Sequence, residues 1–178
     1  MAELVVRAVR AQDFAALAAI TNHYIATSSI HFGYAPVTDG ELQAQWQAAG
    51  ARYPWLAAAL DGEVVGYAKA GVWRDRTAYQ WTTEVGLYVA DALRGRGLGR
   101  ALYAALLDDV QRRGFRSVIA GITLPNPASV RLHEAFGFRH VGIFEDAGWK
   151  QGAWHAVGFW QKQLATDASP PAGAPPTS

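Results

Sequence analysis

The chain has 178 residues, 51% hydrophobic and 17% charged, with 18 Gly, 8 Pro and no Cys. So much apolar and aromatic content excludes disorder throughout, and the missing cysteine excludes disulfides, thiolate catalysis and cysteine-ligated metals. The net charge of +1 is small for a protein built to neutralise nucleic-acid phosphates, so neither nucleic acid nor, lacking a long apolar run, a membrane is an expected partner.

The opening Met1-Ala2-Glu3-Leu4 has no basic segment followed by an apolar run, so no secretory leader is expected and the setting reads as cytoplasmic. Leu4 to Arg7 is a short β-prone run. Asp13 is expected to cap a helix whose Phe14, Leu17, Ile20, Tyr24 and Ile25 recur at a 3.6-residue period. Thr38 and Glu41 have the spacing of a capping box, which starts a second helix. Trp55 to Leu60 and Glu63 to Val72 read as a hairpin closed by Asp61-Gly62, suited to a type I′ turn. Thr82 to Val89 is the next strand. The Leu98 to Arg112 segment is an amphipathic helix with Leu102, Leu106 and Val110 on one face. Ser117 to Ile122 is a buried strand, and Pro127 opens a helix that Gly137 stops. Phe138 to Ile143 and Trp154 to Gln163 close the pattern as strands. One domain over residues 1–165, with helices on a mixed α+β sheet, is the expected architecture. Residues 166–178 are Pro- and Ala-rich without a large apolar side chain, and are expected to form a loose tail.

The segment from Tyr88 to Arg100 is the richest in chemistry. A strand ends, Arg94-Gly95-Arg96-Gly97-Leu98-Gly99 follows, and a helix begins. Glycines turn backbone N–H groups toward a ligand, a helix N-terminus adds partial positive charge, and the arginines add full charges. That combination suits a pyrophosphate. A dinucleotide fingerprint fails because Arg100 occupies the third glycine position, and a P-loop fails because Gly99 precedes Arg100-Ala101. A structural Gly/Arg turn remains open on these residues alone.

The surrounding motifs are similar to those of the GCN5-related N-acetyltransferase superfamily. Arg94, Gly97 and Gly99 match its phosphate loop, and Asn126 followed by Leu132-His133-Glu134-Ala135-Phe136-Gly137-Phe138 matches its late loop and helix. Within it the chain most resembles phosphinothricin N-acetyltransferases, through Asn22 to Ile25, Arg52 to Leu56, Gly71 to Trp73, Ala78 to Thr82, Ser129 to Ala135 and Gly158 to Gln161. The resemblance implies the superfamily's fold: a central twisted, mostly antiparallel sheet flanked by helices. It also implies acetyl-CoA as cosubstrate, held by Leu87, Tyr88, Val89, Arg94, Gly95, Arg96, Gly97, Leu98, Gly99 and Asn126.

Glu84 stands in an otherwise apolar strand, where desolvation would raise its pKa and suit it to act as a base. By its own residues it is equally a solvent-facing strand carboxylate; the resemblance implies the catalytic role. His133 stands where the superfamily has a Tyr that protonates the departing thiolate, and a structural helix histidine is the other reading. Asn126 alone is a turn residue before Pro127. Phe32, Arg76 and Tyr79 match positions that contact the acceptor, with Arg74 a basic neighbour, although Arg74-Asp75-Arg76 reads equally well as a solvated loop. His31-Phe32-Gly33-Tyr34, Gly86, Gly121 and Thr123 depart from the phosphinothricin pattern. His23, His140 and His155 lack metal-ligand spacing, so no metal is expected.

The expected activity is acetyl transfer to the amino group of a small amino acid or analogue, of the phosphinothricin or methionine sulfoximine type, by direct attack in a ternary complex. Acetylation of a protein N-terminus or polyamine, and acetyl-CoA sensing without catalysis, stay as alternatives. The aromatic strand around Trp154, Phe159 and Trp160, with the resemblance, implies a homodimer.

Overall fold

The structure is a computed structural model, described for residues 3–167, 169, 171 and 173. Seven strands form one sheet: β1 (Leu4–Ala8), β2 (Trp55–Leu60), β3 (Glu63–Val72), β4 (Thr82–Val89), β5 (Ser117–Thr123), β6 (Arg139–Lys150) and β7 (Ala153–Gln163). Their spatial order is β1-β2-β3-β4-β5-β7-β6, antiparallel throughout except between β4 and β5. Four helices accompany them: α1 (Phe14–Thr27), α2 (Asp39–Ala49), α3 (Leu98–Arg112) and α4 (Pro127–Ala135).

Both faces of the sheet are covered at β2, which explains its near-continuous apolar run. Leu56 and Ala58 pack toward α3 with Leu102, Leu106 and Val110. Trp55 and Ala57 pack toward α1 and α2 with Phe14, Leu17 and Leu42. A strand buried on both sides has no polar face to alternate with.

Local chemistry sets the boundaries. Asp61 and Gly62 both take positive φ, 50° and 88°, as a type I′ hairpin turn requires. Thr38 Oγ1 accepts from the Glu41 N–H at 3.1 Å while Glu41 Oε2 accepts from the Thr38 N–H at 2.7 Å. Asp13 does not cap α1 through its side chain. Its carboxylate accepts instead from the Arg10 N–H at 2.8 Å and from both Arg7 guanidinium nitrogens at 2.7 and 2.9 Å. The ion pair outcompetes the cap and ties β1 to the start of α1.

β6 runs seven residues beyond the expected Ile143. Its register shifts between Phe144 and Gly148, and Asp146 there has φ 48°. This irregularity and the polar Glu145-Asp146 erase the period-2 signal, although pairing with β7 continues to Lys150. Of the expected tail, Asp167 pairs with Arg116 at 3.5 Å; residues 168, 170, 172 and 174–178 lie outside the described residues.

Arg7 beside Asp13 holds its carboxyl below the usual carboxylate range, with burial opposing. A lowered folded-state pKa adds stability above the unfolded value of ~3.9 and loses it as pH falls through the folded value. Asp13→Asn is therefore expected to cost ~2–3 kcal/mol in urea unfolding at pH 7, below the upper range for breaking a buried pair because Arg7 keeps some water contact. The gap between variant and parent should close as pH falls below that window.

Candidate active site

The parallel pairing of β4 with β5 joins only Thr82, Thr83 and Glu84 to Ser117, Val118 and Ile119. Both strands continue, β4 to Val89 and β5 to Thr123, without pairing further. Trp81 C=O accepts from Arg116 and Ser117 on the β5 side, whereas the Ala90 N–H donates to Val65 of β3. Backbone direction alternates along a strand, so the N–H and C=O groups of Leu87 and Val89 face the gap. One of them is answered from α1: the Tyr24 hydroxyl donates to Val89 C=O at 2.6 Å.

A cleft of about 370 Å³ fills this gap, walled by Val85 to Val89, by Gly121 to Thr123 and by the segment around Asn126. Its far end is the glycine loop. Gly95 and Gly97 take left-handed φ of 78° and 80°, which a side chain would strain, and Gly97 leads directly into α3. The N–H groups of the first turn of α3 are thereby presented to the cleft. A Cβ on Gly99 would stand 3.3 Å from Leu87 Cδ2, so glycine there lets the helix start close to β4. Arg94 and Arg100 line the cleft with Gly95, Gly97, Leu98 and Gly99, while Arg96 lies outside it.

Asn126 caps α4, its Oδ1 accepting from the Ser129 N–H at 3.2 Å, which leaves its amide N–H₂ for a ligand. His133 lines the cleft but is buried, edge-on to Tyr103 and Phe138 with ring centroids 4.9 and 5.2 Å away. Its Nδ1–H donates to Ser129 C=O at 2.7 Å. Burial pushes its pKa below the ordinary imidazole value, partly offset by that hydrogen bond. That direction works against the imidazolium reading of His133 and toward the structural one.

Glu84 is half-buried on the α1/α2 face of β4, opposite Gly71 of β3, and its Oε1 lies 3.5 Å from where a Cβ on Gly121 would stand. Burial raises its pKa, and Lys69 partly counters the rise. Glu84 therefore borders the cleft through two glycines, Gly86 and Gly121, that line it. Phe32 packs over Gly148, where a Cβ would stand 2.4 Å from its ring, and lies 6.3 Å from the His155 ring. Arg74, Arg76 and Tyr79 sit on the exposed connection between β3 and β4, with the Arg74 guanidinium over Trp73 at 5.1 Å. None of the three lines the cleft.

Sequence reasoning missed Tyr24, whose periodicity marked only a core position, and Lys69, hidden inside an apolar strand. Among the described residues no three His, Asp or Glu side chains converge as a metal-binding group, and no helix is long and apolar enough to cross a membrane.

A splayed sheet with unpaired strand amides and a glycine loop at a helix start is the framework of an acyl-CoA-type transferase, and the comparisons give it a family. Residues 17–138 match the acetyltransferase (GNAT) family, and the chain belongs to it. It is an N-acetyltransferase. A phosphinothricin N-acetyltransferase of Streptomyces viridochromogenes is 46% identical over 165 residues, spanning 93% of this chain and 90% of that protein. The L-methionine sulfoximine/L-methionine sulfone acetyltransferase of Salmonella typhimurium is 37% identical, over 90% of this chain and 94% of its own. A phosphinothricin acetyltransferase from Sinorhizobium meliloti, solved in complex with acetyl-CoA, superposes with a TM-score of 0.92 at 30% identity, covering 96% of this chain and 94% of that one.

The His133 environment has a direct readout. A nitrogen NMR titration should find the Nδ1–H tautomer at pH 7 and a midpoint below the ordinary ~6.5. A midpoint above 6.5 would restore the imidazolium.

Proposed function

We propose that the chain transfers acetyl from acetyl-CoA to the amino group of a small α-amino acid of the phosphinothricin or methionine sulfone type, by direct attack in a ternary complex. The observation that carries this reading is the half-buried carboxylate of Glu84 at the point where β4–β5 pairing stops, on the strand that carries the amides of Leu87 and Val89 into the gap. The relatives' acceptors, phosphinothricin and methionine sulfone, share the α-amino acid head.

In this reading the pyrophosphate of the coenzyme rests on the N–H groups at Gly97 to Gly99, with Arg94 and Arg100 supplying charge. The pantetheine arm runs along the gap, bonded by Leu87 and Val89 in the manner of a third strand, and Asn126 donates its side-chain amide. A strand N–H then stabilises the oxyanion formed on the thioester carbonyl. The acceptor enters over Gly86 and Gly121. Glu84 removes a proton from its ammonium, a task suited to a carboxylate whose pKa burial has raised. The free amine attacks the carbonyl carbon, its nitrogen gives up a second proton to water in the open cleft, the carbon–sulfur bond breaks, and coenzyme A leaves as thiolate. A thiol near pKa ~8.5 leaves tolerably as its anion, which takes its proton from water in the open cleft. His133 walls the cleft and takes no part in proton transfer.

Phe32 forms the side wall, and Arg74, Arg76 and Tyr79 form an outer, cationic rim that attracts an anionic acceptor. That rim disfavours a polyamine. The proposal extends to a homodimer: Val141, Ile143, Phe144, Trp149 and Trp154 are exposed together on β6 and β7, and a second copy would bury them.

Glu84→Gln keeps the size and loses the base. Its kcat on the best amino acid acceptor should fall ~10²–10⁴-fold at pH 7, with acetyl-CoA affinity nearly unchanged, and the defect should shrink at high pH as more amine is free. A folded variant with near-parental rate refutes the mechanism. Gly97→Val strains a left-handed position at the loop, so calorimetry should show acetyl-CoA binding weakened ~tenfold or more.

A further inference from the structure

Lys69 has no assigned part in the reaction described above. It lies on β3 directly opposite Gly86, on the same sheet face as Glu84, which opposes Gly71 two residues along. The two side chains are therefore diagonal neighbours on an antiparallel pair. They do not form a direct ion pair among the described residues, yet each feels the other's charge. The Lys69 ammonium rests over the Trp55 ring, 4.7 Å from its centroid. No hydrogen bond to it is found among the described residues, although most of the side chain is out of water.

Other basic groups near this face are already engaged. Lys150, itself buried, gives its ammonium protons to Ile25 C=O at 2.7 Å and to His31 C=O at 2.5 Å. His31 accepts from the Gly33 N–H at 3.0 Å through Nδ1, and burial with Lys150 and Lys69 nearby holds its pKa below the ordinary imidazole value. Arg74 stacks on Trp73 out in solvent. Among the described residues, Lys69 keeps its donors without a hydrogen-bond partner on the sheet face that carries the carboxylate.

Space is available on the β4 side of the Lys69 stem, across β3 from the Trp55 ring over which its ammonium rests. A Cβ built on Gly86 would stand 3.9 Å from Lys69 Cγ, and a Cβ on Gly71 would meet nothing within 4 Å. Two glycines thus leave an uncovered strip of sheet between Lys69 and Glu84. An α-amino acid is a zwitterion whose ammonium and carboxylate lie on one carbon. A carboxylate and an ammonium held apart on one sheet face are its complement.

We propose that Lys69 determines acceptor specificity by receiving the α-carboxylate while Glu84 takes the α-ammonium. This rests on the amino acid reading of the acceptor and deepens it. Arg74 and Arg76 then attract the acceptor from outside, and Lys69 orients it inside, with the amine aimed at the thioester. A cation already stripped of much of its water, with no internal acceptor, gains more from such a contact than an exposed arginine does.

The test compares L-methionine sulfone with its α-carboxamide, in the parent and in Lys69→Met and Lys69→Arg. The readout is the ratio of kcat/KM for acid over amide, and comparing that ratio between proteins cancels the intrinsic difference in amine basicity. The parent should prefer the acid, Lys69→Met should lower the ratio about tenfold to hundredfold, and Lys69→Arg should keep most of it. Acetyl-CoA binding by calorimetry reports that each variant is folded. If Lys69→Met lowers both substrates by the same factor, Lys69 acts on Glu84 or on the fold, and the assignment falls while the amino acid reading stands. A parent enzyme that acetylates no amino acid but accepts polyamines or peptides overturns that reading itself and the assignment with it.

Discussion

Everything functional in this molecule depends on one interruption of a hydrogen-bond ladder. A parallel pair that joins three residues on each strand and then stops leaves backbone donors and acceptors without partners in the middle of a sheet. Buried backbone groups are costly to leave unpaired, so such a break persists only where something else answers them. Tyr24 answers one, at Val89 C=O. The remaining groups of Leu87 and Val89 are available to an extended ligand, which in the proposed reaction pairs with β4 as β5 would have done. Gly99 serves the same break from the other side, letting α3 begin against Leu87 with no Cβ between them.

Much of the fold was legible because it is written in short-range chemistry. Asp61-Gly62 encodes a turn in two residues, and Thr38 with Glu41 encodes a helix start in four. The glycine loop was legible as an anion cradle for the same reason. What was not legible depends on partners distant in sequence. Asp13 resembled a cap and became half of an ion pair with Arg7 across the β1–α1 turn. The length of β6 was hidden because its partner β7 sustains pairing through an irregularity that breaks the sequence pattern. The splay itself left no mark, since Val85 to Val89 reads as any other buried strand.

The candidate site divides in the same way. Residues expected to act through the backbone, or by being glycine, line one cleft together, and Arg96 lies outside it. Residues assigned through side-chain charge depend on surroundings that the sequence does not show. His133 has the chemical identity of a proton donor, but burial against the rings of Tyr103 and Phe138 lowers its pKa, which the hydrogen bond to Ser129 C=O only partly offsets. Arg74 and Arg76 are basic and near in sequence, yet the connection that carries them lies in solvent. Lys69 escaped notice because an isolated lysine among Val, Ala and Gly reads as one exposed position on a strand, and only the sheet register brings it beside Glu84.

That juxtaposition changes how the carboxylate must be understood. Burial alone raises the pKa of Glu84, and carried far enough it would leave a protonated acid unable to accept anything at pH 7. Lys69 opposes that rise without quenching the carboxylate in a direct ion pair. A salt bridge would have held the proton affinity too low for a base and filled the strip an acceptor needs. Separation on the sheet diagonal gives an intermediate condition: a positive charge that counters the rise at Glu84 without a direct ion pair between the two. The glycines at 71, 86 and 121 are the other half of the arrangement, because any side chain there would occupy the strip between the charges or the window to the thioester. In the proposed reaction, base strength and acceptor selection are thus set by the same pair of strands, and a change at Lys69 acts on both.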